Sequence, residues 1–240
     1  MSETLKLPAG IAACLFDLDG VITQTAKVHA AAWKQMFDDF LRQRSHETGE
    51  PFAEFTNTDY IRYVDGRPRY DGVRQFLQSR GIEPKEDLVR DLGDRKNTLV
   101  LRLIEDDGVE VYEGSIRLLK LARDRGLKTA VVSSSANTQA ILRSVGIEDL
   151  FDARVDGVVA EERKLPGKPA PDTFLEGARE VGVEPSAAAV FEDALAGVEA
   201  GRAGDFGWVI GVDRANQAAD LLTHGADIVV EDLAELIEPS

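Results

Sequence analysis

The sequence predicts an α/β fold, a doubly wound parallel sheet that carries an inserted all-helical cap subdomain. Three observations predict it. Short unbroken apolar runs recur at strand length, and amphipathic segments of helix length lie between them, the pattern of βαβ units and of strands buried on both faces. From residue 26 to residue 110 that alternation stops, and only helical periodicity remains.

The first strand is expected at Ala12–Phe16, within the apolar run that starts at Ile11 and ends against Asp17. In the insertion, Trp33, Met36, Phe37, Phe40 and Leu41 fall at i, i+3, i+4, i+7 and i+8, one face of a helix. Val73, Phe76 and Leu77 mark a second helix closed by Gly81. Leu88, Leu92, Leu99, Val100, Leu103 and Ile104 mark a third, closed by Gly108. Beyond it, strands are expected at Thr129–Val132, Ala187–Phe191, Trp208–Val212 and Ile228–Val230. The helices between and after them are Ser115–Arg125, Thr138–Val145, Asp172–Val181, Ala194–Ala203 and Asn216–Thr223. Gly126, Gly146, Gly182, Gly204 and Gly225 stand where helix C-caps are expected. The division so predicted is a core of residues 1–25 and 111–240 with a helical cap at 26–110. The insertion reads either as a lid over the carboxyl edge of the sheet or as a decoration covering one sheet edge, and periodicity does not separate the two.

Composition narrows the function. With 28 Lys and Arg against 43 Asp and Glu, the net charge is −15, which argues against a nucleic-acid surface and against docking on anionic lipid. No apolar run is long enough to span a bilayer, and the Ile11–Phe16 run ends too soon to serve as a signal peptide. The single cysteine, Cys14, excludes a disulfide framework and reads as core. The expectation is a cytoplasmic protein, without nucleic-acid or membrane partners, that binds a small molecule.

Four strand ends carry candidate chemistry. Asp17-Leu18-Asp19-Gly20 follows the first strand. Residues i and i+2 of an extended segment point to one side, so both carboxylates are expected above the strand end, where Gly20 permits a sharp turn. An ordinary turn has the same residues. A calcium loop starts this way too, but Val21 and Ile22 stand where it needs further oxygen ligands. Ser133-Ser134-Ser135-Ala136-Asn137 follows the second core strand at a helix start, suited to a phosphate and equally to plain N-capping. Lys168 precedes the turn Pro169-Ala170-Pro171, with Asp172 a candidate N-cap. Phe191-Glu192-Asp193 ends a buried strand in two acids, and capping would account for Asp193 only. Ligand sites of doubly wound sheets form at this edge. Carboxylates clustered without His suit Mg2+, and Mg2+, Lys and hydroxyls together suit phosphoryl transfer.

These segments, from Phe16-Asp17-Leu18-Asp19-Gly20-Val21-Ile22-Thr23 to Phe191-Glu192-Asp193, resemble the four ordered motifs of the haloacid dehalogenase superfamily. The likeness extends to the β-phosphoglucomutase family and covers nearly the whole chain. Thr25, His29 and Trp33 match the start of that family's cap, Gly66 and Arg69 its cap loop, and Arg95-Lys96-Asn97 a later cap helix. The resemblance implies that Asp17 is the nucleophile and Asp19 the general acid and base. It implies Mg2+ held by Asp17, the main-chain carbonyl of Asp19, and Asp193, with Glu192 beside them. Ser133 and Lys168 would bind the transferring phosphoryl group, and Ser135, Asn137 and Arg69 the second phosphate. His29 and Lys96 would reach Asp19 and the substrate on closure, with Thr25 at the hinge, and Ser134, Gly66 and Arg67 complete the expected substrate-binding set. The sequence departs from the family at Ala136 and Asp65, where the mutases commonly and often, respectively, have Lys, and at Gln24, which replaces an acid.

The reaction so implied converts β-glucose 1-phosphate to glucose 6-phosphate through β-glucose 1,6-bisphosphate on a phosphorylated enzyme, monomeric or weakly dimeric. The same machinery acting on water would be a sugar-phosphate phosphatase. A non-catalytic sugar-phosphate-binding module would lack Asp17 or Asp19, and both are present. No Gly-x-x-x-x-Gly-Lys-[Ser/Thr] loop and no Gly-x-Ser-x-Gly elbow occurs.

Overall fold

The computed structural model describes residues 3–239, so residues 1–2 and 240 of the expected core segments lie outside the described residues. β1 (Glu3–Leu5) pairs antiparallel with β8 (Ile237–Pro239). The main sheet has six parallel strands: β2 (Ala13–Phe16), β3 (Lys128–Val132), β4 (Ala153–Val155), β5 (Ala188–Glu192), β6 (Trp208–Val212) and β7 (Ile228–Val230). Their spatial order is β4-β3-β2-β5-β6-β7. The register sets Phe16 beside Val131 and beside Phe191, so the chain leaves β2, β3 and β5 along one edge.

Every residue of β2 is buried, because alternate side chains enter opposite layers. Cys14 and Phe16 pack with Ile116 and Leu119 of α5 (Glu113–Asp124) and with Ile141 of α6 (Thr138–Ser144). Ala13 and Leu15 pack with Phe174 of α8 (Asp172–Glu180), Val198 of α9 (Leu195–Ala203) and Leu221 of α10 (Ala218–Thr223). Helices thus cover both faces, as the apolar runs predict. The sequence reading lacks β4 and α7 (Gly157–Arg163). Ala-Arg-Val at the sheet edge is mostly half-buried, so no unbroken apolar run marks it. Gly126, Gly146, Gly182 and Gly225 take positive φ after their helices, but Gly204 does not: its φ is −87°, and Asp205 is left-handed instead. A Cβ at Gly204 would sit 2.7 Å from the Phe206 ring, so packing demands the glycine there.

The insertion comprises α1 (Thr25–Thr48), α2 (Asn57–Asp59), a π-helical turn at Tyr60–Val64, α3 (Arg69–Ser79) and α4 (Glu86–Asp107). It has a core of its own, whose buried members run from Trp33 to Leu92. Phe37 anchors it, with ring centroids 4.1 Å from Phe76 and 5.1 Å from Phe55. The polar stretch before α2 is held by that same Phe55, whose N–H donates to Asp38 at 2.8 Å and whose carbonyl accepts from Lys34 at 2.9 Å. Two chain crossings join insertion to core, and they are bonded to each other: Gln24 N–H donates to Glu110 and Tyr112 N–H to Ile22. Among the described residues no helix is long and apolar enough to cross a membrane.

Candidate active site

A cavity of about 540 Å3 lies between the sheet edge and the insertion. Its floor has Asp17 and Asp19 after β2, Ser133, Ser134 and Ser135 after β3, and Asp193 after β5. Its roof has His29 from α1, Gly66, Arg67 and Arg69 around the start of α3, and Lys96 from α4. The remaining sequence-predicted residues stand behind these walls. Thr25, the first residue of α1, donates from Oγ1 to the Asp19 carboxylate. Lys168 Nζ donates to Asp17 Oδ1 at 2.5 Å and lies 3.4 Å from Glu192 Oε1. Asn137 Nδ2 donates across to Asn97 Oδ1 of α4 at 3.0 Å.

Close approaches at glycines bring these groups together. Gly20 has φ +85°, and a Cβ there would overlap the Asp193 carboxylate at 1.8 Å. Gly66 has φ +69°, and its Cβ would lie 2.8 Å from that of Ala194. Asp17, Glu192 and Asp193 each present an oxygen, all within 4.8 Å of one another. Asp193 caps nothing, since Ala194 holds the N-cap position of α9, and the N-cap of α8 is Pro171 rather than Asp172. The Asp19 side chain stays outside the triad, bonded to Thr25 and 3.6 Å from His29 Nε2.

The sequence model of haloacid dehalogenase-like hydrolases matches residues 11–205. The chain belongs to this family. β-Phosphoglucomutase of Mycobacterium bovis is 52% identical, over 98% of this chain and 95% of its own. The Bacillus subtilis β-phosphoglucomutase is 34% identical, over 93% and 91%. The crystal structure of β-phosphoglucomutase from Clostridium difficile superposes with a TM-score of 0.75 at 27% identity, covering 94% of this chain and 93% of that one. These relatives place the chain among the enzymes of the family, on the β-phosphoglucomutase branch.

For a haloacid dehalogenase-like enzyme the charges in the site are telling. Burial raises the Asp17 carboxyl to about 6 against the pull of Lys168. Burial also raises Asp19, opposed by Thr25, and lifts Glu192 and Asp193 well above the usual range, with neighbouring carboxylates adding to it. Burial alone would lower Lys168, but Asp17 and Glu192 hold its ammonium above its ordinary value. One buried ammonium among four carboxylates leaves a negative surplus, and Glu192 Oε2 is buried with no hydrogen-bond partner. An all-carboxylate oxygen set with an orphaned oxygen fits a hard divalent cation such as Mg2+.

In the roof, Lys96 Nζ lies 2.8 Å from His29 Nδ1 and 4.8 Å from the centre of the Trp33 ring. Burial lowers Lys96 to about 7, and burial followed by the Lys96 charge lowers His29 well below its ordinary value. Tyr60 and Tyr70 are among the lining residues that the sequence reading does not single out. Tyr60 sits in the π-helical turn, and burial and Asp65 push its phenol upward. Tyr70 accepts from Arg69 at 3.1 Å and donates to Asp94 at 2.7 Å. Neither tyrosine belongs to a motif or to an apolar period, so no sequence signal marks them.

Proposed function

We propose that this chain interconverts β-D-glucose 1-phosphate and glucose 6-phosphate through an aspartyl-phosphate enzyme and β-glucose 1,6-bisphosphate, with residues 26–110 acting as a cap over the core, in the cytoplasm. The free oxygen of Asp17 is the phosphoryl acceptor and donor, since its other oxygen accepts from Lys168. In the first half-reaction the phosphoryl group leaves Asp17 for the free hydroxyl of a sugar monophosphate, and Asp19 takes the hydroxyl proton. The bisphosphate then turns round. In the second half Asp17 receives the other phosphoryl group, and Asp19 returns its proton to the departing sugar oxygen. Thr25 orients Asp19 throughout and belongs to α1, so the proton-transfer group is coupled to the cap. Ser133 and Lys168 bind the group in transfer, while Ser135, Asn137 and Arg69 hold the phosphate at rest. Mg2+, held by Asp17, Glu192, Asp193 and the Asp19 carbonyl, would neutralise charge on the transferring phosphoryl group.

One observation carries this reading over a phosphatase. Arg67, Arg69 and Lys96 come from the insertion yet line the same cavity as Asp17, and transfer to water needs no second phosphate to be held. Seating the cap also excludes the water that would hydrolyse Asp17 phosphate. Phosphorus NMR with Mg2+, β-glucose 1-phosphate and a trace of β-glucose 1,6-bisphosphate tests it. Glucose 6-phosphate growing without inorganic phosphate is the expected result. Inorganic phosphate rising in step with substrate loss would instead establish a phosphatase.

A further inference from the structure

Five Lys and Arg side chains line the cavity: Arg67, Arg69, Arg74, Lys96 and Lys164. Arg69 faces Asp94 at 3.6 Å, Arg74 pairs with Asp71 and Glu86 at 2.9 Å, and Lys96 is bonded to His29. Among the described residues, Arg67 and Lys164 make no ion pair. Glu161 lines the same wall as Lys164 without pairing with it.

Lys164 is placed with some care. It caps α7 in the left-handed region, at φ 56° and ψ 40°, a conformation that glycine adopts freely and a residue with a Cβ resists. Such an outlier beside a cavity points toward function. The helix it ends is fixed to the loop after β3. Gly157 N–H donates to the Ser135 carbonyl at 3.1 Å, and a Cβ on Gly157 would lie 2.9 Å from the Ala136 nitrogen. Between that contact and Lys164 the cavity wall is Ala136, Gly157, Ala160 and Glu161, and the first three are small residues that leave room for a ligand. From the other side, Pro68 presses on Gly167, where a Cβ would sit 2.0 Å from Pro68 Cγ. Lys164 therefore lines the cavity from the core, three residues before the Gly167 contact with the cap.

We infer that Lys164 is a substrate-binding residue which receives the phosphate that is not being transferred. The inference rests on the proposed two-phosphate reaction, but binding alone can test it. The test is calorimetric titration of Mg2+-loaded Asp17→Asn protein, which cannot turn over, with β-glucose 1,6-bisphosphate. Adding Lys164→Gly is expected to raise Kd about tenfold, the value of one charge-assisted contact, and Lys164→Arg to keep it within about twofold of the parent. The glycine variant should melt no lower than its parent, because its φ suits glycine, so lost binding is not lost folding. An unchanged Kd in the glycine variant, or no binding by the parent, overturns the inference. If the unmutated protein makes no glucose 6-phosphate but the Kd shift appears, the mutase reading fails and the Lys164 site stands.

Discussion

The Ser134 hydroxyl donates to the Gly66 carbonyl at 2.8 Å, tying the loop after β3 to the loop before α3. Core and insertion meet here through a side chain on one and bare backbone on the other, beside Glu192 and Ala194. If the insertion acts as the proposed cap, this contact is one that closure must form.

Removing it should loosen closure without harming the fold. A hydrogen bond of this type contributes about 1 kcal/mol net, so Ser134→Ala is expected to raise KM for the sugar phosphate about fivefold with little change in Tm. Gly66→Ala is the harsher variant. Its methyl would meet the Ala194 Cβ at 2.8 Å in a φ that alanine disfavours, and kcat/KM should fall by about 100-fold or more. Near wild-type kinetics in the glycine variant would show that this loop does not seat during turnover.

Much of this arrangement is legible in the residues, for a physical reason. β2 and β5 are buried on both faces, so their apolar runs are unbroken and the acids that end them stand out. The same rule hides β4, whose half-buried edge position tolerates Arg154. Side chains recruited by packing are hidden too. Lys164 enters the cavity wall because Gly157 docks on Ser135 and Ala136, and Tyr60 because of a five-residue π-helical turn. Asp65 is visible only as a departure from the family, and the structure puts its carboxyl in the cavity, raised to about 6 chiefly by burial.

Metal binding should be linked to pH. Asp17 is raised to about 6 by burial, and Glu192 and Asp193 are raised further, whereas the unfolded chain ionises such groups near pH 4. Between about pH 4 and 6 the metal-free folded state therefore holds protons that the unfolded state has released, and its stability falls as pH rises through that window. Mg2+ needs the ionised carboxylates, so its affinity should climb from pH 5 to pH 7. The rise in Tm on adding Mg2+ should be larger at pH 7 and absent in Asp193→Asn. An equal rise at both pH values, or one retained in that variant, would remove the ion from this triad.

Lys96 gives the opposite sign. Its ammonium is lowered to about 7, first by burial, while in the unfolded chain it ionises near its ordinary value, about 10.4. Between those values the unfolded state binds the extra proton, so this group makes stability increase with pH. Denaturant midpoints at pH 7 and pH 9.5 should therefore diverge more in the wild type than in Lys96→Met. If both proteins respond alike, Lys96 is charged in the folded state.

The core of the insertion sets whether it moves as one body. Phe37 contacts Trp33, Phe55 and Phe76 at centroid distances of 5.3, 5.1 and 4.1 Å, and no residue of the sheet belongs to that cluster. Phe37→Ala should cost about 3–5 kcal/mol locally. Because the chain passes between insertion and core only twice, near Gln24 and Tyr112, and the Phe37 cluster is separate from the clusters around the sheet, the loss should stay inside the insertion. Hydrogen exchange should then quicken in α1, α3 and α4 while β2, β3 and β5 keep their protection. Loss of protection in β2 and β5 as well would make the chain one cooperative unit. A cap that closes as a rigid body over Asp17 needs the first outcome, because only an independently packed unit can swing on two crossings without disturbing the sheet edge.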